Sequence, residues 1–166
     1  MKMKIDTAMR AAGAEAFRLL RSRGEKVSFA ESLTGGMIAA AFVENPGASY
    51  VLDESYVTYA ASSKVRILGV KQETVDTVGV VSDRCAREMA EGVRCISGAH
   101  WGVSATGLAG PDGGTDELPV GTVFIGVAGA DGVQAYRCHF EGDRARVRMQ
   151  AVQRAFEVLA ERIEKN

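Results

Sequence analysis

Residues 27–30 form a short apolar run that ends in Glu31-Ser32-Leu33-Thr34-Gly35-Gly36 and passes at once into a helical stretch over 37–43. This strand, hydroxyl-rich turn and helix most constrains the fold, because a strand feeding a helix lays that helix on a sheet face. Asn45-Pro46-Gly47 then ends the helix, since proline cannot continue it and glycine frees the chain to turn.

The rest of the chain repeats the theme. Ile5, Met9, Ala12, Ala16 and Leu19 or Leu20 recur at helical spacing until Gly24 stops them. Strands are predicted over 55–60, 101–106, 122–128 and 133–140, the last two joined by a hairpin turn at Gly129-Ala130-Asp131-Gly132. A helix over 62–68 is closed by Gly69, and another, N-capped by Ser82, carries the apolar set Cys85, Ala86, Met89, Ala90 and Val93. Gly142-Asp143 caps a final helix with Val147, Ala151, Ala155, Leu159 and Ile163 on its apolar face. The predicted class is α/β: one mixed sheet with helices packed against it, its strand order left open. No linker or repeat interrupts 166 residues, so 1–166 reads as a single domain. Such a length buries roughly two-thirds of the unfolded surface and needs no disulfide or metal staple.

Lys and Arg number 20 against 21 Asp and Glu, so nothing attracts a phosphate backbone broadly, and no nucleic-acid partner is expected. Lys2 and Lys4 precede no signal-length apolar stretch, and no run approaches a membrane span, which places the expected location in the cytoplasm with no membrane partner. Cys85, Cys95 and Cys138 lack metal-ligand spacing and read as buried free thiols; no metal and no cofactor is expected.

Ser32 stands where strand gives way to helix, a position that suits a nucleophile or an anion binder, with the amides of Gly35 and Gly36 facing what it holds; a plain helix N-cap is the competing reading. A nucleophile needs a base. The two histidines, His100 and His139, lie beside no catalytic partner, so no Ser-His-Asp triad is expected. Lys64 can serve if burial strips its proton, since an exposed lysine of pKa ~10.4 is almost wholly charged at pH 7; otherwise it is a solvated helix lysine. Tyr56 and Tyr59 precede it, three apart, so in a regular strand only one reaches the site.

Arg144 and Arg148 share a helix face near its N-terminus, where cations are disfavoured, and either an anionic ligand or Asp143 relieves the conflict. The turn over 107–115 carries four of the 19 glycines and lacks the phosphate-loop pattern. Its bare backbone suits close approach to a phosphate or a planar ring, against the reading of a simple turn.

Taken in order, residues 30–36, Tyr59 with Lys64, Gly79-Val80-Val81-Ser82, residues 106–114, residues 119–123 and Gly142-Asp143-Arg144 resemble the CinA C-terminal domain family. The resemblance runs from about Ala30 to Arg148. It implies a nicotinamide mononucleotide deamidase that hydrolyses the ring carboxamide to nicotinic acid mononucleotide and ammonia in pyridine-nucleotide salvage. It further implies Ser32 as nucleophile, Tyr59 and Lys64 as its activating partners, and Arg144 as an active-site position. Leu33 and Ala60-Ala61 depart from the cysteine and Ser-Asn frequent at those places in the family. The family also occurs behind a larger nucleotide-processing domain, for which this chain has no room; it is expected to act alone or self-associated, with a homodimer as the oligomeric expectation.

The expected chemistry is attack of Ser32 on the carboxamide carbon, with Lys64 acting directly or through Tyr59, and loop amides holding the oxyanion. The expected partner is a small pyridine nucleotide, held by Thr34, Gly35, Gly36, Thr106, Gly107, Gly110, Gly113, Gly114, Arg144 and Arg148. Two alternatives stand beside it: a non-catalytic nucleotide-binding module, and an interaction domain associated with competence or DNA damage.

Overall fold

The computed structural model describes residues 7–166; the part of the first predicted helix at Ile5 lies outside them. Six helices and five strands follow in the order α1 (Thr7–Arg23), β1 (Val27–Glu31), α2 (Met37–Phe42), β2 (Leu52–Val57), α3 (Ala61–Leu68), α4 (Gln72–Thr77), α5 (Asp83–Ser97), β3 (Trp101–Gly107), β4 (Thr122–Gly129), β5 (Gly132–His139) and α6 (Arg144–Lys165), with a single 3-10 turn at Ala48–Tyr50. The strands form one mixed sheet ordered β2-β1-β3-β4-β5. β1 runs parallel to both β2 and β3, whereas β3–β4 and β4–β5 pair antiparallel. The expected class, one α/β domain on a mixed sheet, is what the chain forms.

Helices cover both faces. On one, α1, α2 and α6 pack over Phe29, Val103, Ala105, Ile125 and Val127, which are all buried. Phe29, Phe42 and Phe156 meet there edge-on or tilted, with centroids 5.4 to 6.3 Å apart, contacts that add about 1 kcal/mol each beyond area burial. On the other face α5 lies against small residues. A Cβ on Gly102 would stand 2.2 Å from the Ala90 carbonyl oxygen, and one on Gly126 2.3 Å from that of Ala86, so both positions must lack a side chain for the helix to seat. Ser104 Oγ, in the same row, donates to the Ala86 carbonyl at 2.6 Å.

Local signals held where they were local. Ser82 Oγ accepts from the Cys85 amide at 3.1 Å, and the Asp143 carboxylate accepts from the Arg146 amide at 2.8 Å, capping α5 and α6. The hairpin is the expected one, with Gly129 paired to Gly132. Three expectations need correction. The second strand lies three residues earlier than 55–60, because beyond Val57 the carbonyls of Thr58 and Tyr59 turn from the sheet to accept from Lys64. The short helix α4 was not foreseen; Glu88 builds it from outside, accepting from the Lys71 amide and the Thr74 hydroxyl. Of the three thiols Cys85 is buried, but Cys95 is exposed on the outer side of α5 and Cys138 is only partly covered.

Candidate functional site

The first three strands are parallel, and the chain leaves their carboxyl ends on both sides of β1, the position where α/β sheets hold ligands. A cleft of about 260 Å³ opens there. Ser32 comes from the end of β1, Tyr59 from beyond β2, and Thr106, Gly107, Leu108, Ala109, Gly110 and Asp112 from the end of β3 and its loop. Arg144, at the start of α6, closes one side. Val80 and Val81 also line the cleft; sequence reading named them within the resemblance but gave them no part in the site. Thr106 Oγ1 secures that stretch by donating to the Val80 carbonyl at 2.7 Å.

Lys64 is 1% exposed, so it is no solvated helix lysine. Its Nζ lies 2.9 Å from Ser32 Oγ, 2.6 Å from the Thr58 carbonyl oxygen and 3.3 Å from that of Tyr59. Burial lowers its pKa from the ordinary lysine value, and among the described residues no carboxylate forms an ion pair with it. Cys85, also buried, has its thiol pushed up to about 11 by desolvation, so at neutral pH it offers no compensating negative charge. Nζ donates to both carbonyls and to Ser32 Oγ; were the amine neutral, two N–H bonds would serve the carbonyls and leave the lone pair for the serine hydroxyl.

Ser32 is not a helix cap: α2 begins at Met37 with Gly36 as its N-cap, and the hydrogen bond of Ser32 Oγ is to Lys64. Nor do Gly35 and Gly36 turn their amides to the cleft. The Gly35 amide donates to the Ser32 carbonyl at 3.0 Å, and that of Gly36 to Glu31 Oε2 at 3.0 Å. Glu31, fully buried, also accepts from the amides of Ile38 and Ala39. Its role was missed although its signal is local: one carboxylate ends a strand with no other charged residue directly before Ser32.

The remaining residues fall into two groups. Tyr59 is the tyrosine that reaches the cleft, but its phenol accepts from Arg144 Nη2 at 2.9 Å and is not bonded to Ser32 or Lys64. Arg144 Nη1 donates to the Gly110 carbonyl at 2.8 Å, tying the glycine loop to the tyrosine. Tyr56 pairs instead with Glu54. Arg148 lies behind the serine loop, where its Nε and Nη2 donate to the carbonyls of Leu33 and Thr34 at 2.8 and 2.9 Å. Gly113 and Gly114 sit off the cleft, Gly114 packed on Val120. His100 accepts from the Lys26 amide at the far end of the sheet. Among the described residues no cluster of three or more His, Cys, Asp or Glu is arranged to hold a metal, and no helix is long and apolar enough to cross a membrane.

Fold and site together define an α/β domain whose cleft presents a serine hydroxyl against a buried lysine. The comparisons with known proteins say which one. The chain belongs to the CinA C-terminal domain family, whose pattern matches residues 10–163. A CinA-like protein of Anaeromyxobacter sp. (strain K) is 51% identical over 140 residues, 84% of this chain and 34% of that protein. A putative competence-damage inducible protein of Clostridium perfringens is 43% identical over 149 residues, 89% of this chain and 36% of that one. The chain therefore spans about a third of the curated relatives it matches. The crystal structure of competence/damage inducible protein CihA from Agrobacterium tumefaciens superposes with a TM-score of 0.92 at 36% identity, covering 97% of this chain and 98% of that one. A CinA superfamily protein from Klebsiella pneumoniae gives 0.91 at 32%, covering 95% and 99%.

Proposed function

We propose that this domain is an amidohydrolase that converts nicotinamide mononucleotide and water to nicotinic acid mononucleotide and ammonia through Ser32. The observation that carries the hydrolase reading is the Lys64 Nζ, buried with no counter-charge among the described residues and 2.9 Å from Ser32 Oγ. Resemblance to the family supplies the substrate, and the cleft, with a hydroxyl at its base, apolar Val80 and Val81 on one wall and Arg144 on another, has the chemistry to take a planar ring bearing an anionic arm.

Neutral Lys64 accepts the Ser32 hydroxyl proton as Oγ bonds to the carboxamide carbon. The C–N bond then breaks, and the nitrogen leaves as ammonia with the proton returned from Lys64. Water, deprotonated by the same amine, attacks the resulting ester, and the carboxylate departs as Ser32 recovers its proton. Tyr59 serves this step through its carbonyl, which orients the lysine, while its phenol orients Arg144.

The test is ammonia release from purified protein supplied with nicotinamide mononucleotide. The Ser32→Ala variant is expected to lose about 10²-fold or more, because a positioned nucleophile and base together lower the barrier by several kcal/mol. Equal release by both proteins sinks the reading, and nucleotide binding with no release by either replaces it with a binding module.

A further inference from the structure

The turn that follows Ser32 uses its amides unevenly. The Gly35 amide donates to the Ser32 carbonyl and that of Met37 to the Thr34 carbonyl. Glu31 takes those of Gly36, Ile38 and Ala39, each at 3.0 Å. Leu33 and Thr34 remain, and among the described residues neither amide has an acceptor. The Thr34 hydroxyl in the same turn is fully buried and likewise unpartnered.

Arg148 ties this turn to α6 through the carbonyls of Leu33 and Thr34. A trans peptide points its C=O and the next N–H in opposite directions. Arg148, on α6, holds the Leu33 carbonyl, so the Thr34 N–H of that same peptide is directed away from α6. Leu33 itself lines the cleft beside Ser32. Neither residue has a positive φ, and the Gly35-to-Ser32 hydrogen bond closes the turn, which places Leu33 and Thr34 at its two central positions in type I-like geometry.

We infer that the Leu33 amide is a donor of the oxyanion hole for the tetrahedral intermediate on Ser32, with Glu31 and Arg148 as positioning residues. This rests on the amidohydrolase reading. Glu31 does more than hold α2: by taking the later amides it fixes the start of the helix behind Leu33, whose amide needs no rearrangement when negative charge develops on the attacked oxygen.

The hole can be dismantled at Leu33, because the first central position of a type I turn accepts proline, which lacks an N–H. Leu33→Ala, which loses the side chain and keeps the amide, is the reference. Leu33→Pro is expected to lower kcat about 10²- to 10³-fold relative to Leu33→Ala, with KM within a few-fold. Affinity for pyridine-3-boronic acid, which forms a tetrahedral anion on a serine, should fall in parallel, while affinity for nicotinic acid mononucleotide stays level. Equal kcat and equal boronate affinity in the two variants overturn the inference. If Leu33→Pro fails to fold, a backbone ester at position 33, which swaps N–H for oxygen and keeps the leucine, supplies the same comparison. A wild-type protein that binds the boronate through Ser32 but releases no ammonia refutes the substrate alone, and the boronate series still decides the oxyanion hole.

Discussion

Among the described residues two basic side chains are buried, and they are buried differently. Arg162, on α6, is 3% exposed. It donates to the Asp131 carboxylate and to the carbonyls of Val127 and Gly132, and it stands 6.0 Å over the Trp101 ring. Lys64 is 1% exposed and meets two carbonyls and a hydroxyl, with no carboxylate among the described residues. A guanidinium cannot shed its proton in a protein, so its burial demands a counter-charge. An ammonium can, so burial without one pushes it towards the free amine. The first arrangement locks the β4–β5 hairpin to α6, and the second, on the proposed reading, makes a base.

The most damaging way to break this contrast is to take the amine away. Lys64→Met should lower turnover about 10²- to 10⁴-fold, the worth of a positioned acid–base group, and Lys64→Arg should restore none of it because arginine stays charged. The same lysine sets a pH signature. Its folded pKa is lowered, so below that value both folded and unfolded chains carry the proton and the penalty of burial is constant. Between the lowered value and the unfolded one near ~10.4 the unfolded chain holds the extra proton, so stability rises with pH through that window. Activity should rise as pH climbs through the folded pKa, where the amine becomes free. Urea midpoints over the neutral to alkaline range should climb for the wild type and lose that slope in Lys64→Met; identical slopes would show that Lys64 keeps its proton.

Removing the counter-charge from the other cation sharpens the contrast. Asp131→Asn should cost about 1–3 kcal/mol, the range for hydrogen bonds to charged groups, because the Asp131 side chain is 35% exposed and solvent softens the loss. The effect should register in the urea midpoint and leave the reactivity of Ser32 towards a phosphonate label unchanged. A fall in labelling equal to the loss at Lys64 would mean that the far end of the sheet is coupled to the cleft.

What could be read from the sequence divides along the same line. The caps Ser82 and Asp143, the two-residue hairpin and the period of α5 were legible because each depends on neighbours in the chain. The Ser32 turn, Lys64 and Tyr59 were legible as types of residue and as a resemblance, but their geometry was not. Lys64 looks like any helix lysine until α3 is packed against α5, an approach in which a Cβ on Gly92 would lie 1.9 Å from the Leu68 carbonyl oxygen. Arg148 reads as an anion ligand until the 115 residues separating it from Leu33 are folded back. The end of β2 could not be placed without Lys64, whose demand for two acceptors draws the chain out of the sheet.

Tyr59 carries the smallest expected effect, and it discriminates most finely. The residue is 59% exposed, and its hydroxyl touches Arg144, not the serine or the lysine. Tyr59→Phe keeps the backbone carbonyl that orients Lys64 and removes one exposed hydrogen bond to a guanidinium, worth about 1 kcal/mol. The expected outcome is a KM raised a few-fold, as Arg144 loses one of its two tethers, with kcat and its pH profile unchanged. A kcat lowered about 10²-fold at constant KM would instead make the phenol a proton relay between Ser32 and Lys64. The contrast between the two buried cations would then fail in its chemical half, because an amine that needs a phenol to reach its serine is not a base set by burial alone.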